Sequence, residues 1–298
     1  MLRYVRMAKT AYERLKKVDP NCVVAGLTMC KEYRYTPPYK IARRILPELK
    51  DHIDMLAPDL YCGSSELGKV AVPCPEDARL RQWLLDTQDL QASFGKGRSI
   101  AIGEKGYAVP YHVPPDHTFE KAQANFTARA LIIARSVPQV RFYGHYECLA
   151  YVPWKMKEKG WISDDTHPVM DFGIWKEMID AKGSGYCRPR CAVAAFSTVA
   201  RMLANVTDPV ELNVRPGFYS VLFTKRDHAV AAVWITENTP RIVRIELPTV
   251  VGCCDLMGNT RSLPAGPADL AVSESPVFLT CEAAPKLLAG VIQKTVFP

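Results

Sequence analysis

Three stretches of the sequence end an apolar run in polar or aromatic side chains. Ser99-Ile100-Ala101-Ile102-Gly103 runs into Glu104-Lys105-Gly106-Tyr107, so a carboxylate stands where the apolar residues stop, with glycines before and after it leaving space. Ala57-Pro58 runs into Asp59-Leu60-Tyr61, and Val140-Arg141-Phe142-Tyr143 into Gly144-His145-Tyr146-Glu147. Carboxylates accept hydrogen bonds from hydroxyls and stabilise an oxocarbenium-like centre, while aromatic faces cover the apolar faces of sugar rings. A carbohydrate pocket needs both kinds of group. Glu104 is the candidate reacting residue, and Asp59, Tyr61, Tyr143, His145 and Glu147 are candidate substrate contacts. Plainer readings stay open for each. Glu104 also reads as a turn residue paired with a nearby lysine, Tyr61 and Tyr143 as packing, His145 as a structural hydrogen-bonder, and Asp59 and Glu147 as solvated side chains.

These positions would have to be presented by strands that alternate with helices. Tyr4, Ala8, Ala11, Tyr12, Leu15 and Val18 recur at three- and four-residue steps and predict a helix over 4–18, stopped by Asp19-Pro20. Cys22 to Leu27 follows as an unbroken apolar run, the pattern of a strand covered on both faces. The same alternation repeats: helices over 41–49, 75–94, 118–137 and 191–206, and strands over 53–58, 99–103 and 140–143, with a loop of about forty residues before Cys191. The expected inward stripe is Phe119, Ala122, Phe126, Ala130, Ile133 and Val137 on the fourth helix, and Val193, Phe196, Val199, Ala200 and Leu203 on the fifth. Such βα repetition implies a parallel sheet, open or closed into a barrel, and in a barrel the chemistry sits at the carboxyl ends of the strands. Near Asp208-Pro209 the pattern changes to short strands over 218–224, 229–235, 242–247, 250–255 and 277–280, separated by turn-rich segments such as Leu263-Pro264-Ala265-Gly266-Pro267. Two domains are expected, 1–207 and 208–298, the second a small antiparallel β domain.

Composition narrows the function classes. The 298 residues are 48% hydrophobic and 23% charged, enough to bury a large core, which excludes a disordered or fibrous chain. The balance of 38 Lys and Arg against 31 Asp and Glu is mildly basic, but the cations are scattered, so no nucleic-acid partner is expected. No apolar stretch is long enough to span a membrane, and the N-terminus lacks the h-region of a signal peptide, which leaves the compartment open. The ten cysteines show no Cys-x-x-Cys spacing, so no metal site is expected; Cys187 and Cys191 could be bridged on spacing alone.

The passage Ile100-Ala101-Ile102-Gly103-Glu104-Lys105-Gly106 resembles the "I-T-E-x-G" strand end of retaining glycoside hydrolases of clan A, where the glutamate on the seventh strand is the nucleophile. Asp19-Pro20-Asn21-Cys22-Val23-Val24-Ala25-Gly26 is similar to the clan's passage into its fifth strand, and 51–61 to its sixth. Val140 to Tyr143 resembles the eighth strand, with Phe142 at a position often held by tryptophan and Asp59 at one held by histidine. Asp171-Phe172-Gly173 with 189–196, and Cys254 to Asn259 with Ser275 to Leu279, are similar to later passages of family 39 and its relatives, the last in an accessory β-sandwich.

The resemblance implies the second half of a (β/α)8 barrel, about strands 5 to 8, followed by a β-sandwich. It implies a retaining O-glycosidase that cleaves oligo- or polysaccharides without a cofactor, Glu104 being its nucleophile. The clan's acid/base glutamate follows an asparagine on the fourth strand, and none of the six asparagines here is followed by Glu. The expectation is therefore a C-terminal fragment that lacks its acid/base and is inactive alone. It would partner a missing N-terminal half, or associate with itself through exposed sheet edges. The alternatives are a non-catalytic carbohydrate-binding protein and a subunit that completes its barrel with a second chain.

Overall fold

The computed structural model describes residues 2–27, 40–61, 74–97, 99–110, 117–149, 170–179, 185–212, 215–226, 228–237, 239–282 and 285–295. In chain order the elements are α1 (Leu2–Val18), β1 (Ala25–Gly26), α2 (Lys40–Leu49), β2 (Met55–Leu56), α3 (Leu80–Ala92), β3 (Ile100–Lys105), β4 (Val109–Pro110) and α4 (His117–Ser136). They continue with β5 (Val140–His145), β6 (Met170–Asp171), β7 (Trp175–Ile179), β8 (Gly185–Pro189), α5 (Cys191–Met202), β9 (Thr207–Glu211), β10 (Phe218–Lys225) and β11 (His228–Ile235). The last are β12 (Arg241–Leu247), β13 (Val251–Cys254), β14 (Thr260–Leu263), β15 (Gly266–Val272), β16 (Val277–Cys281) and α6 (Pro285–Gln293). Two compact units result, Met1–Gly106 with Val137–Tyr146, and Tyr107–Ser136 with Glu147–Pro298.

The first unit is a parallel α/β arrangement. β1 pairs with β2, and β3 with β5, both in parallel. Backbone bonds fill the interval between the pairs: Gly103 donates to Pro58 and Leu60 donates to the Glu104 carbonyl, each at 3.0 Å, so the stretch after β2 runs beside β3. β1 and β2 are shorter than the strands expected over 22–27 and 53–58, because regular pairing holds for two residues only. The Ala57 N–H still reaches the Gly26 carbonyl at 2.9 Å.

Side chains from the helices tie these strands. Gln91 of α3, fully buried, accepts from the Leu56 N–H at 2.6 Å and donates to the Ser99 carbonyl at 2.5 Å, bracing β2 and the entry to β3 together. Asp54 accepts from the Val24 N–H at 2.7 Å and from Lys16 at 2.9 Å, which joins α1 and β1 to the start of β2. Burial acts to raise its pKa, but the Val24 N–H and the Lys16 ammonium outweigh it and hold the carboxylate below its ordinary value. Ala42, Ile45, Leu46 and Leu49 of α2 pack with Leu27, Ile53, Leu56 and Leu90 into the unit's core.

Helix ends follow the backbone. α3 begins at Leu80 rather than at Pro75, since Arg79 has φ 56°, a left-handed conformation that a helix cannot contain. α5 stops at Met202 rather than Val206, and Asn205 at φ 57° ends the turn that follows it. Its buried face is Ala192, Ala195, Val199, Met202 and Leu203, while Ala200, expected inward, is exposed. α4 is covered on more than one stripe: beside Ala130 and Ile133 it buries Glu120, Gln123, Asn125, Thr127 and Arg129. Gln123 donates to the carbonyls of Tyr107 and Phe172, Glu120 pairs with Arg188, and Asn125 accepts from the Ser275 hydroxyl, which accommodates three of these groups inside.

The second unit holds α4, the β4–β6 pair, a β7–β8 hairpin, α5 and an antiparallel six-stranded sheet in the order β14-β13-β16-β11-β10-β9. β12 pairs with β15, and alternation along β12 buries Val243, Ile245 and Leu247 while Arg244 and Glu246 face solvent. These residues share one core with Ala229, Ala231, Val233 and Ile235 of β11 and with Leu288, Val291 and Ile292 of α6. The β7–β8 hairpin lies within the stretch expected to be a loop, and β9, β14, β15 and α6 are further elements that the hydrophobic pattern missed. Pro209 and Pro267 masked two of them. Each proline sits in a strand with a neighbour on one side only, the place in a sheet where proline is tolerated.

β16, paired on both sides, carries Leu279 at 0% exposure in that core. Leu279→Ala should cost about 2–5 kcal/mol of stability, measured by urea unfolding followed by circular dichroism.

Candidate active site

The site is built on β3. Its pairing with β5 runs Ala101 with Phe142, Ile102 with Tyr143 and Lys105 with His145, so three steps along β3 match two along β5. The extra residue re-aims the side chains beyond it, as a bulge does. Ile102, Lys105, Tyr143 and His145 share one face, and Glu104 turns to the other, where its side chain is exposed. Gly144 makes this approach feasible: a Cβ there would stand 2.1 Å from the Gly103 carbonyl oxygen, so no side chain fits.

Glu104 is held by the neighbouring strand segment. Tyr61 donates its hydroxyl to Glu104 Oε2 at 3.0 Å, and the Tyr61 ring stands edge-on to Tyr146 with centroids 6.4 Å apart. Asp59, half-buried, lies beside the same carboxylate: burial and then the Glu104 charge push its pKa up to about 6, and a hydrogen bond from the Glu104 backbone N–H offsets only part of that. Tyr61, Asp59 and Glu104 thus come together, in keeping with their shared place at strand ends.

Tyr143 and His145 do not join them. The Tyr143 hydroxyl and both ring nitrogens of His145 are buried, on the face opposite to Glu104. There His145 adjoins Lys105, a lysine with 0% exposure, and burial followed by the Lys105 charge lowers the His145 pKa to about 4. Glu147 belongs to the second unit, where its N–H donates to the Phe172 carbonyl and its own carbonyl accepts from Ile174. The ring on the open side of β5 is Phe142, 61% exposed. Pairing register, invisible in one sequence, decides between Phe142 and its neighbour Tyr143; the only signal was the match of Phe142 to the clan's tryptophan position. Lys105 also went unnoticed as a buried cation, since a lysine after a glutamate reads as its surface partner. Among the described residues no group of His, Cys, Asp or Glu could hold a metal ion, no helix is long and apolar enough to cross a membrane, and Cys187 and Cys191 are both free thiols.

The site is thus an exposed carboxylate at the end of a parallel strand, buttressed by a tyrosine hydroxyl, and the fold that carries it has neighbours among solved structures. The chain superposes on a family 39 glycoside hydrolase from the gut symbiont Bacteroides cellulosilyticus WH2 with a TM-score of 0.61 and 17% identity, covering 93% of this chain and 54% of that one. A glucosidase from Croceicoccus marinus gives 0.55 and 13%, covering 93% and 64%. A beta-porphyranase of glycoside hydrolase family 86 from Bacteroides plebeius gives 0.57 and 10%, covering 93% and 51%. The chain shares its fold with these glycoside hydrolases. The chain spans between about half and two thirds of the length of each of these structures. No protein-family model and no curated protein sequence matches it.

Gly144→Ala should break the β3–β5 seam and expose the buried His145, seen as faster amide exchange at Tyr146, whose N–H bonds the Lys105 carbonyl. In the intact chain the His145 ring should titrate with a midpoint near 4 by NMR, and Lys105→Met should raise that midpoint without restoring 6.5. Because the fold favours the neutral ring, the stability His145 contributes is present above pH 6.5 and is lost as pH falls through about 4.

Proposed function

We propose that this chain carries the nucleophile half of a retaining glycoside hydrolase active on oligo- or polysaccharides. The observation that carries the reading is Glu104 itself: a solvent-facing carboxylate at the end of β3, fixed by the Tyr61 hydroxyl at 3.0 Å, on a fold shared with glycoside hydrolases. In this reading 1–207 corresponds to about strands 5 to 8 of a (β/α)8 barrel and 208–298 to an accessory β-sandwich. Phe142 offers an apolar ring for the face of a sugar, a role the sequence had given to Tyr143.

The chemistry needs two carboxyl groups. A Glu104 oxygen attacks the anomeric carbon as the bond to the leaving oxygen breaks, and that oxygen takes a proton from a second carboxylic acid. Water, deprotonated by the same group, then displaces Glu104 and returns the sugar. Tyr61 holds Glu104 in the attacking position. We assign the proton donor to the half of the fold that the matched structures carry and these residues do not, supplied by a preceding segment or by a second chain. Recognition of carbohydrate without cleavage is the second reading, favoured by the lack of an Asn-Glu pair in the sequence.

A 2-deoxy-2-fluoroglycoside, added to the chain together with the polypeptide that completes its barrel, should leave a covalent sugar on Glu104 by peptide mapping. Glu104→Gln should lower turnover by roughly 10³-fold or more, the scale of losing a group that acts in the transition state. Label on another carboxylate, or undiminished turnover, rejects the assignment. Glycan binding with no turnover in the completed assembly selects the second reading.

A further inference from the structure

Asp59 and Tyr61 stand two residues apart on the stretch that the Gly103-to-Pro58 and Leu60-to-Glu104 backbone bonds hold beside β3. Both meet Glu104. Tyr61 donates its hydroxyl to the Glu104 carboxylate, and the Glu104 backbone N–H is hydrogen-bonded to Asp59. Asp59 is the more enclosed of the two acids: its Oδ1 is buried and has no hydrogen-bond partner among the described residues, whereas the Glu104 side chain is exposed.

Among the described residues the charge acting on Asp59 is that of Glu104. On one side β1 and the residue after it offer only Ala25, Gly26 and Leu27, and α3 touches β2 through the uncharged Gln91. Tyr61 and Tyr146 are the other ionisable groups on this side, while Lys105 and His145 share the opposite face of β3 and β5. A carboxyl group that is half out of water and lies beside another carboxylate ionises at a cost, which raises its pKa.

We propose that Asp59 and Glu104 are a proton-sharing pair in which Asp59 holds the proton in weakly acidic solution and leaves Glu104 the carboxylate. Asp59 is then a positioning residue for Glu104: by keeping its proton it sets no second negative charge beside that carboxylate. The inference rests on the reading of Glu104 as nucleophile for its catalytic meaning, but the pair itself is measurable without turnover. The upward displacement of Asp59 to about 6 agrees with it.

The test is a pH titration of the full chain labelled with ¹³C at aspartate and glutamate carboxyl carbons, Asp59 being assigned by loss of its signal in Asp59→Asn. The Asp59 carbon should titrate with a midpoint near 6, and that midpoint should fall in Glu104→Gln, while the part due to burial stays. A midpoint near the ordinary aspartate value of 3.8, or one that Glu104→Gln leaves in place, overturns the proposal. A second measurement needs no assignment. Because the folded pKa of Asp59 lies above 3.8, the stability it contributes is full below that pH and is lost as pH rises through about 6. Asp59→Asn should therefore match the parent in urea unfolding below pH 3.8 and exceed it at pH 7; a difference independent of pH overturns the pair. If the fluoroglycoside fails to label Glu104 while the titration is coupled, the nucleophile assignment falls and the pair stands.

Discussion

The close approach of β3 and β5 at Gly103 and Gly144 is the constraint on which the site depends. With no Cβ on Gly144, the carbonyl of Gly103 enters space that any other residue would occupy. The strands can then carry one extra residue on β3 and still pair at Lys105 and His145. That residue count turns Glu104 out of the layer that Lys105 enters. A strand in plain alternation would put Glu104 on the face of Ile102, which is fully buried.

The same turn separates charge. Lys105 goes inside with His145, where the buried imidazole stays neutral because desolvation and a neighbouring ammonium both oppose its protonation. Glu104 goes to solvent, with the Tyr61 hydroxyl as donor and Asp59 as a second acid alongside. Adjacent residues in sequence therefore serve opposite environments, one cationic and dry, the other anionic and open. Gln91, Asp54 and the backbone bonds from Pro58 to Leu60 hold the strand that delivers Tyr61 and Asp59, so the geometry around Glu104 rests on uncharged and charged side chains well away from it.

The antiparallel unit is held by a different means. β11 is buried along almost its whole length, and its alternate residues Ala229, Ala231, Val233 and Ile235 meet the inward residues of β12 and β15. Strands with a single neighbour carry the prolines. This lets the sheet end without a row of free backbone donors at Pro209 and Pro267, a common means of limiting edge-to-edge association.

Much of this was legible from residues alone. Helical spacing located α1, α2, α4 and the start of α5, because an apolar stripe must repeat near 3.6 residues wherever a helix packs. The unbroken apolar runs located β3, β5, β10 and β11, and the carboxylate where the run on β3 stops drew attention to Glu104. Pro-containing edge strands and the amphipathic α6 were missed because proline and small residues look like turns when the neighbouring strand is unknown. Tyr61 and Asp59 were legible as strand-end side chains, but not their meeting with Glu104, which needs two hydrogen bonds between segments over forty residues apart. Local periodicity was enough to establish which residue types stand at the strand ends and how helices and strands alternate. The facing of those side chains came from the assembled chain: Phe142 outward, Tyr143 and His145 inward, Lys105 buried, because a one-residue change of register reverses every side chain beyond it.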